Sequence, residues 1–393
     1  MNILLKVFFF IALTGFFIGG TAIRISDFQS YINIFIFFNG ILIIIISLLV
    51  TKSNFKININ KFTILIFVCF LGLSISSLIN GSSSDFLFSI KFLFLFLFFV
   101  IALRNIRDFI SFRIISWSFL LSSSFIVVLS ILEDPPNFFA IRPYSGLFDN
   151  PNSFGLLTGT MFSVVLVLFV SNIFYKLNVK LVLFYFSLMV CILLLISLSA
   201  SRTSFVTALL LLLIVVIIYC IKFLKRKAFN IGKVLNIFLI ILLITSLSFI
   251  FINSSYYSVV EESIFNKFTQ RSIGGDVTAG RDRIWNSILS ESILIGPSEY
   301  SSNPNNPSAH NTFISKIGNH GWIVGIFYLI FWLVAFIQSI IYFWKNCRVD
   351  KYASFPFVSI LTFILLSMTE VLTMNSAELL ALCSIAFLSH KNG

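Results

Sequence analysis

The sequence predicts an all-α integral membrane protein with about twelve transmembrane helices, and two observations support that prediction. The 393 residues are 58% hydrophobic and only 11% charged, with a mean hydropathy of +1.02, a composition outside the range of soluble domains. The apolar residues also form runs, such as YINIFIFFNGILIIIISLLV, that reach the roughly 20 residues needed to cross a bilayer. Because a chain in lipid must satisfy its backbone polar groups internally, each run is expected to be a helix.

The predicted spans leave no room for a separate soluble domain. They cover roughly residues 4–21, 31–50, 62–80, 86–103, 114–132, 153–170, 180–199, 204–221, 235–252, 311–343, 355–372 and 376–389. The tenth is longer than one crossing requires and is expected to start with a polar turn. We therefore expect one polytopic membrane domain, 1–393, in which residues 253–310 form a large loop between the ninth and tenth spans.

The basic residues predict the orientation. With the N-terminus inside the cell, 18 of the 27 Lys and Arg residues fall in inner segments and seven in outer ones. This asymmetry favours cytoplasmic N- and C-termini and places the 253–310 loop outside. The net charge of +12 is thus explained by membrane topology, and no nucleic-acid partner is expected.

The cysteine and carboxylate patterns bear on disulfides, metals and cofactors. Cys69, Cys191, Cys220 and Cys383 fall within predicted spans and Cys347 falls on the inner side, so no exported disulfide is expected. The sequence has no CxxC motif or His/Cys cluster, and the outer loops have no DxD pair. We expect no metal site and no cofactor.

The long outer loop contains a predicted amphipathic helix. In RDRIWNSILSESILIG, Trp285, Ile288, Leu289 and Leu294 recur near helical spacing, and Gly296-Pro297 ends the pattern. We expect this helix to lie on the outer membrane face or to cover a cavity. Trp285 is suited to the membrane interface, where tryptophan is common.

The loop before the sixth span has an unusual polar sequence, RPYSGLFDNPNSFG. Asn150 is suited to cap the span and Pro151 to occupy its first helical position. These roles do not explain Arg142 and Tyr144.

The short connection SLSASRTSF raises a separate question about charge. Arg202 is expected at the start of a helix, with Ser201 or Thr203 as the cap, where a cation opposes the helix dipole. Either an anion binds beside Arg202, or its long side chain only reaches toward the interface.

Two further polar stretches are predicted on the outer side, TAGRDRIWNS and SAHNTFISKIGNHGW. Arg281 and Arg283 flank Asp282, and a solvated helix face explains Arg283 better than Arg281. His310 and Asn311 stand at the mouth of a span, where His310 is suited to accept a proton or to cap the helix. His320 is expected to pack or to form a hydrogen bond.

Taken in order, the stretches SGLFDNPNSFG, SASRTS, AGRDRIW and AHNTFISKIGNHGWIVG resemble the O-antigen ligase and O-antigen polymerase superfamily. Its members are bacterial membrane glycosyltransferases with a GT-C type fold that use glycans carried on undecaprenyl diphosphate. The family's histidine motif places Gly, Thr or Tyr where this chain has Val324. This departure weakens the resemblance to the ligase branch in particular.

The resemblance implies a site on the periplasmic face of the bacterial inner membrane. His310 would deprotonate the acceptor hydroxyl, while Arg202 and Arg281 would stabilise the departing diphosphate without a metal. Asn311 would fix the imidazole or cap the span. Substrate-binding candidates are Arg142, Asn311, Tyr144 and Arg283. One direct displacement would invert the anomeric carbon.

Three functions remain open at this point. A polymerase would transfer a growing glycan from undecaprenyl diphosphate to the next lipid-linked repeat unit. A ligase would transfer the finished glycan to lipid A–core. A transporter of lipid-linked sugars would line a path through the membrane with charges such as Lys91, Glu370 and Glu378. Membrane lipids, a chain-length regulator and a flippase are the implied partners.

Overall fold

Apolar helices account for almost all of the regular structure in the part of the chain that can be described. The structure, a computed structural model, describes residues 2–20, 26–51, 61–80, 111–136, 143–175, 178–224, 280–303, 305–347, 349–372 and 375–388, with a few isolated residues between them (90, 91, 94, 95, 98, 103 and 261). Within these ranges no β-strand is present. The predicted all-α class is confirmed at this level.

The helices follow most of the predicted spans. They are α1 (Asn2–Gly19), α2 (Ser26–Thr51), α3 (Lys61–Ile79), α4 (Phe112–Glu133), α5 (Pro151–Tyr175), α6 (Val179–Leu198), α7 (Arg202–Leu224), α8 (Arg281–Glu291), α9 (Glu299–Ser302), α10 (Thr312–His320), α11 (Trp322–Asn346), α12 (Phe355–Ser367) and α13 (Ser376–Leu388). The predicted span 235–252, and all but six residues of 86–103, lie outside the described residues.

Length and composition identify the membrane-crossing helices. Among the described residues, five helices are long and apolar enough to cross a bilayer: α4, α5, α6, α11 and the Arg202–Tyr219 part of α7. Shorter apolar helices lie in α1, α2, α3, α12 and α13. The chain is therefore a helical, multi-pass membrane protein, and the full number of twelve spans stays a prediction.

Helix α5 lies at the centre of the bundle. It packs against α4, α6, α7, α12 and α13, and most of its side chains are buried. Small residues let α7 approach closely: a methyl group added at Gly155 would lie 2.3 Å from Ser201 Cβ, and one at Gly159 would lie 3.2 Å from Ser204 Cβ. Close approach through small residues is a common way to join helices in lipid.

The predicted tenth span, 311–343, is wrong as a single element, because the chain breaks at Gly321. Helix α10 ends at His320 and α11 begins at Trp322. Gly321 has a φ of +89°, and a side chain there would lie 2.7 Å from the carbonyl oxygen of Leu294. Glycine permits both this conformation and this close approach.

The predicted loop helix is also shorter than expected. Helix α8 ends at Glu291, before the Gly296-Pro297 stop. The extended segment that follows α8 forms hydrogen bonds with the backbone at the break between α10 and α11. Trp322 N–H donates to the Ile293 carbonyl, and Gly296 N–H donates to the His320 carbonyl. Leu294 is 69% exposed, while Ile288 of α8 is buried against α10.

Helix α10 lies across one end of the bundle, which we call the His310 end. Its first residue, Thr312, binds residues 370 and 372 beyond the end of α12. At its other end the backbone carbonyls accept hydrogen bonds from Ser76 and Asn80, at the end of α3. His320 also contacts Ser76 through its Nδ1 at 3.2 Å, so the expected packing role of His320 is confirmed.

Candidate functional site

The most unusual contact at the His310 end joins an imidazole to a carboxylate. His310 Nδ1 lies 3.3 Å from Glu370 Oε2, with 40% of the histidine side chain and 12% of the glutamate side chain exposed. With Glu370 as an ionised carboxylate, which only accepts hydrogen bonds, Nδ1 would be the protonated nitrogen. The other ring nitrogen, Nε2, is then the one able to accept a proton.

The backbone on both sides of this pair is held by further hydrogen bonds. The Thr312 hydroxyl donates to the Glu370 carbonyl at 2.8 Å and accepts from Leu372 N–H at 2.8 Å. The Asn311 side-chain amide donates to the Met368 carbonyl at 3.1 Å. The loop carrying Glu370 is therefore tied to the start of α10, which fixes the distance between the carboxylate and the imidazole.

Asn311 caps α10, which is one of the two roles that the sequence left open for it. Its side-chain oxygen accepts hydrogen bonds from the backbone N–H groups of Phe313 and Ile314, at 2.9 and 3.1 Å. This satisfies two of the free donors at the helix start. The cap belongs to Asn311, which leaves the adjacent His310 side chain for the contact with Glu370.

His310 adopts a backbone conformation that is uncommon for a residue with a side chain. Its φ is +46°, in the left-handed region, which costs an L-residue roughly 1–2 kcal/mol. The segment before it is anchored by Trp285 of α8, whose indole N–H donates to the Ala309 carbonyl at 2.7 Å. Strained residues of this kind cluster at functional sites.

The DNPN sequence at the start of α5 reaches the same carboxylate. The Asn152 side-chain amide donates to Glu370 Oε1 at 3.2 Å. Asn150 caps α5 by accepting from Asn152 N–H at 2.8 Å, and Pro151 is the first helical residue. The predicted cap is confirmed, and Asn152 has a second role that the sequence did not indicate.

The connection containing Arg202 packs directly against the start of α5. Gly155, one turn after Asn152, is in contact with Ser201, and Arg202 is the first residue of α7, with a half-buried side chain. The contacts through Gly155 and through Glu370 thus bring three helix starts, those of α5, α7 and α10, to the His310 end. Helix N-termini favour bound anions.

Helix α8 joins the group through Trp285. Arg281 is the first residue of α8, one turn before Trp285, and its side chain is half-buried. Arg283 has an exposed side chain, in line with the solvated face expected for it. Arg142 lies outside the described residues.

Tyr144 occupies a packed position. Its ring is 7% exposed and meets Phe154 edge-to-face, with 5.0 Å between centroids. No described atom forms a hydrogen bond with its buried hydroxyl. Burial, with the nearby Asp134 carboxylate as a smaller cause, raises the pKa of Tyr144 to about 12. As a substrate-binding candidate it therefore offers little accessible surface.

Glu370 is the site residue that the sequence reasoning missed. The apolar pattern places Glu370 within a span, but α12 ends at Ser367 and Glu370 lies in the connection to α13. Its partners His310 and Asn152 are 60 and 218 residues away along the chain. A lone acidic residue near the predicted end of a span was the available signal.

The fold and the site define a helical membrane protein with a histidine–glutamate pair at one end of its bundle. No family model, curated protein or solved structure matches the chain.

Proposed function

We propose that this protein is a polysaccharide polymerase of the O-antigen type, which transfers a growing glycan from undecaprenyl diphosphate to the next lipid-linked repeat unit. The observation that supports this most is the His310–Glu370 pair, partly exposed at one end of the bundle. A base at this end would meet a hydroxyl group in water while the carrier lipid stays in the bilayer.

In the proposed reaction, His310 Nε2 takes the proton of the acceptor hydroxyl. The oxygen attacks the anomeric carbon of the donor glycan, forming the new glycosidic bond, as the bond from that carbon to the diphosphate breaks. Glu370, which accepts from Nδ1–H, holds the imidazole in the required tautomer and stabilises it once it is charged. A single displacement inverts the anomeric carbon.

The leaving group is undecaprenyl diphosphate, and its departure releases negative charge. Arg202 and Arg281, each the first residue of a helix, are the proposed stabilising groups, with Arg142 and Arg283 as supporting contacts. Guanidinium groups bind phosphate oxygens in pairs of charge-assisted hydrogen bonds. The gathered helix starts add to the positive potential, so the proposed reaction is metal-independent.

The proposed placement follows from the same chemistry. The protein would lie in a bacterial inner membrane with both termini in the cytoplasm and the His310 end facing the periplasm, where lipid-linked repeat units are assembled into long glycans. Membrane lipids, a flippase that delivers the units and a chain-length regulator are the proposed partners.

The test is a gel profile of surface lipopolysaccharide from a deletion strain of the native host. The strain is complemented with wild type, His310→Ala and, as a matched histidine control, His390→Ala. Core bearing a single repeat unit, with the long ladder restored by wild type and His390→Ala but not by His310→Ala, is the expected result. Loss of a general base should lower transfer by about 10²–10⁴-fold.

Two other outcomes would change the proposal. Bare core, with long glycans accumulating on the carrier lipid, would identify a ligase that acts on lipid A–core. A wild-type ladder from His310→Ala would remove the catalytic role of His310 and favour a transporter of lipid-linked sugars.

A further inference from the structure

A second charged group lies on α10, inside the bundle. Lys316 is only 4% exposed, and its ammonium lies over the ring of Tyr328 in α11, 5.7 Å from the centroid. The Tyr328 hydroxyl donates to Glu378 Oε1 of α13 at 2.6 Å. Tyr328 and Glu378 are themselves 3% and 6% exposed. The proposed reaction uses none of these three residues.

The charges in this cluster compensate each other. Lys316 and Glu378 attract electrostatically, and the Tyr328 side chain lies between them, with its ring under the ammonium and its hydroxyl on the carboxylate. Glu378 is in the first turn of α13, and its own N–H donates to the Asn375 side chain at 3.0 Å. A carboxylate at a helix start is favoured by the helix dipole.

The inner pair connects the same two parts of the chain as the His310–Glu370 pair. His310 and Lys316 belong to one continuous segment that starts α10, while Glu370 and Glu378 belong to the segment that leads from α12 into α13. The outer pair is partly exposed and the inner pair is buried. Two polar pairs at different depths define the relative position of two segments better than one.

We propose that Lys316 and Glu378 are positioning residues, which set the depth and register of α10 so that His310 meets Glu370. Buried ion pairs contribute little net stability against apolar replacements, and their best-attested use is to specify one arrangement over others. Ionisable groups inside membrane bundles are in any case seldom without a role. This inference deepens the proposed function and rests on it for its catalytic readout.

The first readout needs no substrate. In a chain whose five native cysteines are replaced by serine, the variant His310→Cys/Glu370→Cys is treated with a short bifunctional methanethiosulfonate, and the cross-linked fraction is measured in detergent or nanodiscs. The same measurement is repeated with Lys316→Met, with Glu378→Gln and with both substitutions together. Glutamine at 378 keeps an acceptor for the Tyr328 hydroxyl.

The double substitution makes the test decisive even where a single variant fails to fold. Each single change leaves an uncompensated buried group, so lower thermal stability is expected. The double change leaves no buried charge, so stability should recover toward wild type. If the pair positions α10, cross-linking in the double variant stays at least threefold below the parent. Cross-linking equal to the parent would overturn the inference.

The second readout is glycan transfer by chains with His310 and Glu370 intact. We expect Lys316→Met/Glu378→Gln to lower kcat at least tenfold with little change in KM, because the base is misplaced while the donor still binds. Tyr219→Phe is the matched control, since it removes a buried hydrogen bond to Ser354 without touching α10, and it should keep the wild-type kcat. A double variant with wild-type kcat would show that the pair only stabilises the fold.

The two readouts separate this inference from the proposed function. Cross-linking that depends on the pair, in a protein that transfers no glycan, would support the positioning role and reject the polymerase. Glycan transfer that requires His310 but not Lys316 and Glu378 would support the polymerase and reject the positioning role.

Discussion

Asn152 donates a hydrogen bond to Glu370, and this contact joins parts of the chain that lie 218 residues apart. The second oxygen of the same carboxylate binds His310. Both carboxylate oxygens therefore have a side-chain partner, and rotation of the carboxylate is restricted. The DNPN and histidine stretches, read separately in the sequence, meet at one acidic residue.

Replacing Glu370 tests whether the carboxylate supports the base. Glu370→Gln keeps the size of the side chain, but its amide can donate to Nδ1 and so favour the wrong imidazole tautomer. We expect kcat for glycan transfer to fall about 100-fold or more, measured with purified protein and a lipid-linked repeat unit. Glu299→Gln on α9, an exposed glutamate, should leave kcat unchanged.

Asn152→Ala should have a smaller effect, about tenfold, because Asn152 acts through Glu370. Residues that act through one another are not additive. The variant Asn152→Ala/Glu370→Gln is thus expected to be no slower than Glu370→Gln alone. Fully additive losses would mean that Asn152 has a separate role, for example in binding the donor.

Gly155 is expected to tolerate no larger residue while Ser201 faces it. Gly155→Ala places a methyl group 2.3 Å from Ser201 Cβ and 2.8 Å from Ser199 Oγ, and overpacking of this kind typically costs about 1–3 kcal/mol. Thermal unfolding in detergent should show the loss. Ser201→Gly in the same chain should recover most of it.

Gly159→Ala provides the comparison on the same helix. Its methyl group would lie 3.2 Å from Ser204 Cβ, a contact that a shift of a few tenths of an ångström relieves. The gain in helix propensity, about 1 kcal/mol, should offset that shift. An unfolding temperature that drops equally in both variants would argue against the close approach of α5 and α7 at Gly155.

Tyr144→Phe should stabilise the protein or leave it unchanged. It removes a buried hydroxyl that no described group binds, and an unsatisfied group of this kind costs roughly 1–3 kcal/mol. Tyr219→Phe, which loses the 2.8 Å hydrogen bond to Ser354, should lower stability by about 1 kcal/mol. If Tyr144→Phe reduces glycan transfer while raising stability, Tyr144 contacts the substrate after all.

The same residue predicts a response to alkaline pH. The pKa of Tyr144 is raised from 10.0 to about 12 in the folded chain, so the unfolded chain releases this proton first. Ionisation of Tyr144 therefore leaves the stability of the fold unchanged below pH 10 and lowers it as the pH rises toward 12. The free energy of unfolding of Tyr144→Phe should therefore fall less steeply with pH in that window than that of wild type.

Leu294 is expected to contact lipid. Its 69% exposed side chain lies in the segment whose backbone binds the first turn of α11, a span-length helix whose Ile323 is also exposed. A spin label at Leu294→Cys in a cysteine-free chain should be more accessible to oxygen than to a water-soluble nickel chelate. A label at Ser290→Cys, on the exposed face of α8, should show the opposite preference. Equal accessibility at both sites would contradict lipid contact.

The sequence predicted the parts of this molecule that depend on local pattern. Long apolar runs give the helices, and Asn150 and Asn311 are recognisable as caps because capping is decided within three or four residues. The break at Gly321 was missed although the stretch GNHG interrupts the apolar pattern there. The approach of the Leu294 carbonyl explains the glycine at the break.

Which residues meet at the site could not be predicted, because their contacts join distant parts of the chain. His310 stood out as a rare polar residue at the mouth of a span. The sequence indicates only a span charge at Glu370 and a helix start at Asn152. The contact between them forms only when α5, α10 and the α12–α13 connection fold together, so no local pattern reveals it. No local pattern points to Lys316, since Glu378, the carboxylate that attracts it, is 62 residues further along the chain.

The left-handed backbone at His310 costs the fold stability at the residue that carries the proposed catalytic role. Glycine would adopt a φ of +46° without the cost of roughly 1–2 kcal/mol that a side chain imposes, so a chain improved for thermostability alone would drift toward glycine at position 310. Engineering for robustness would thus remove the proposed base first. Any screen that stabilises this protein should hold His310 fixed.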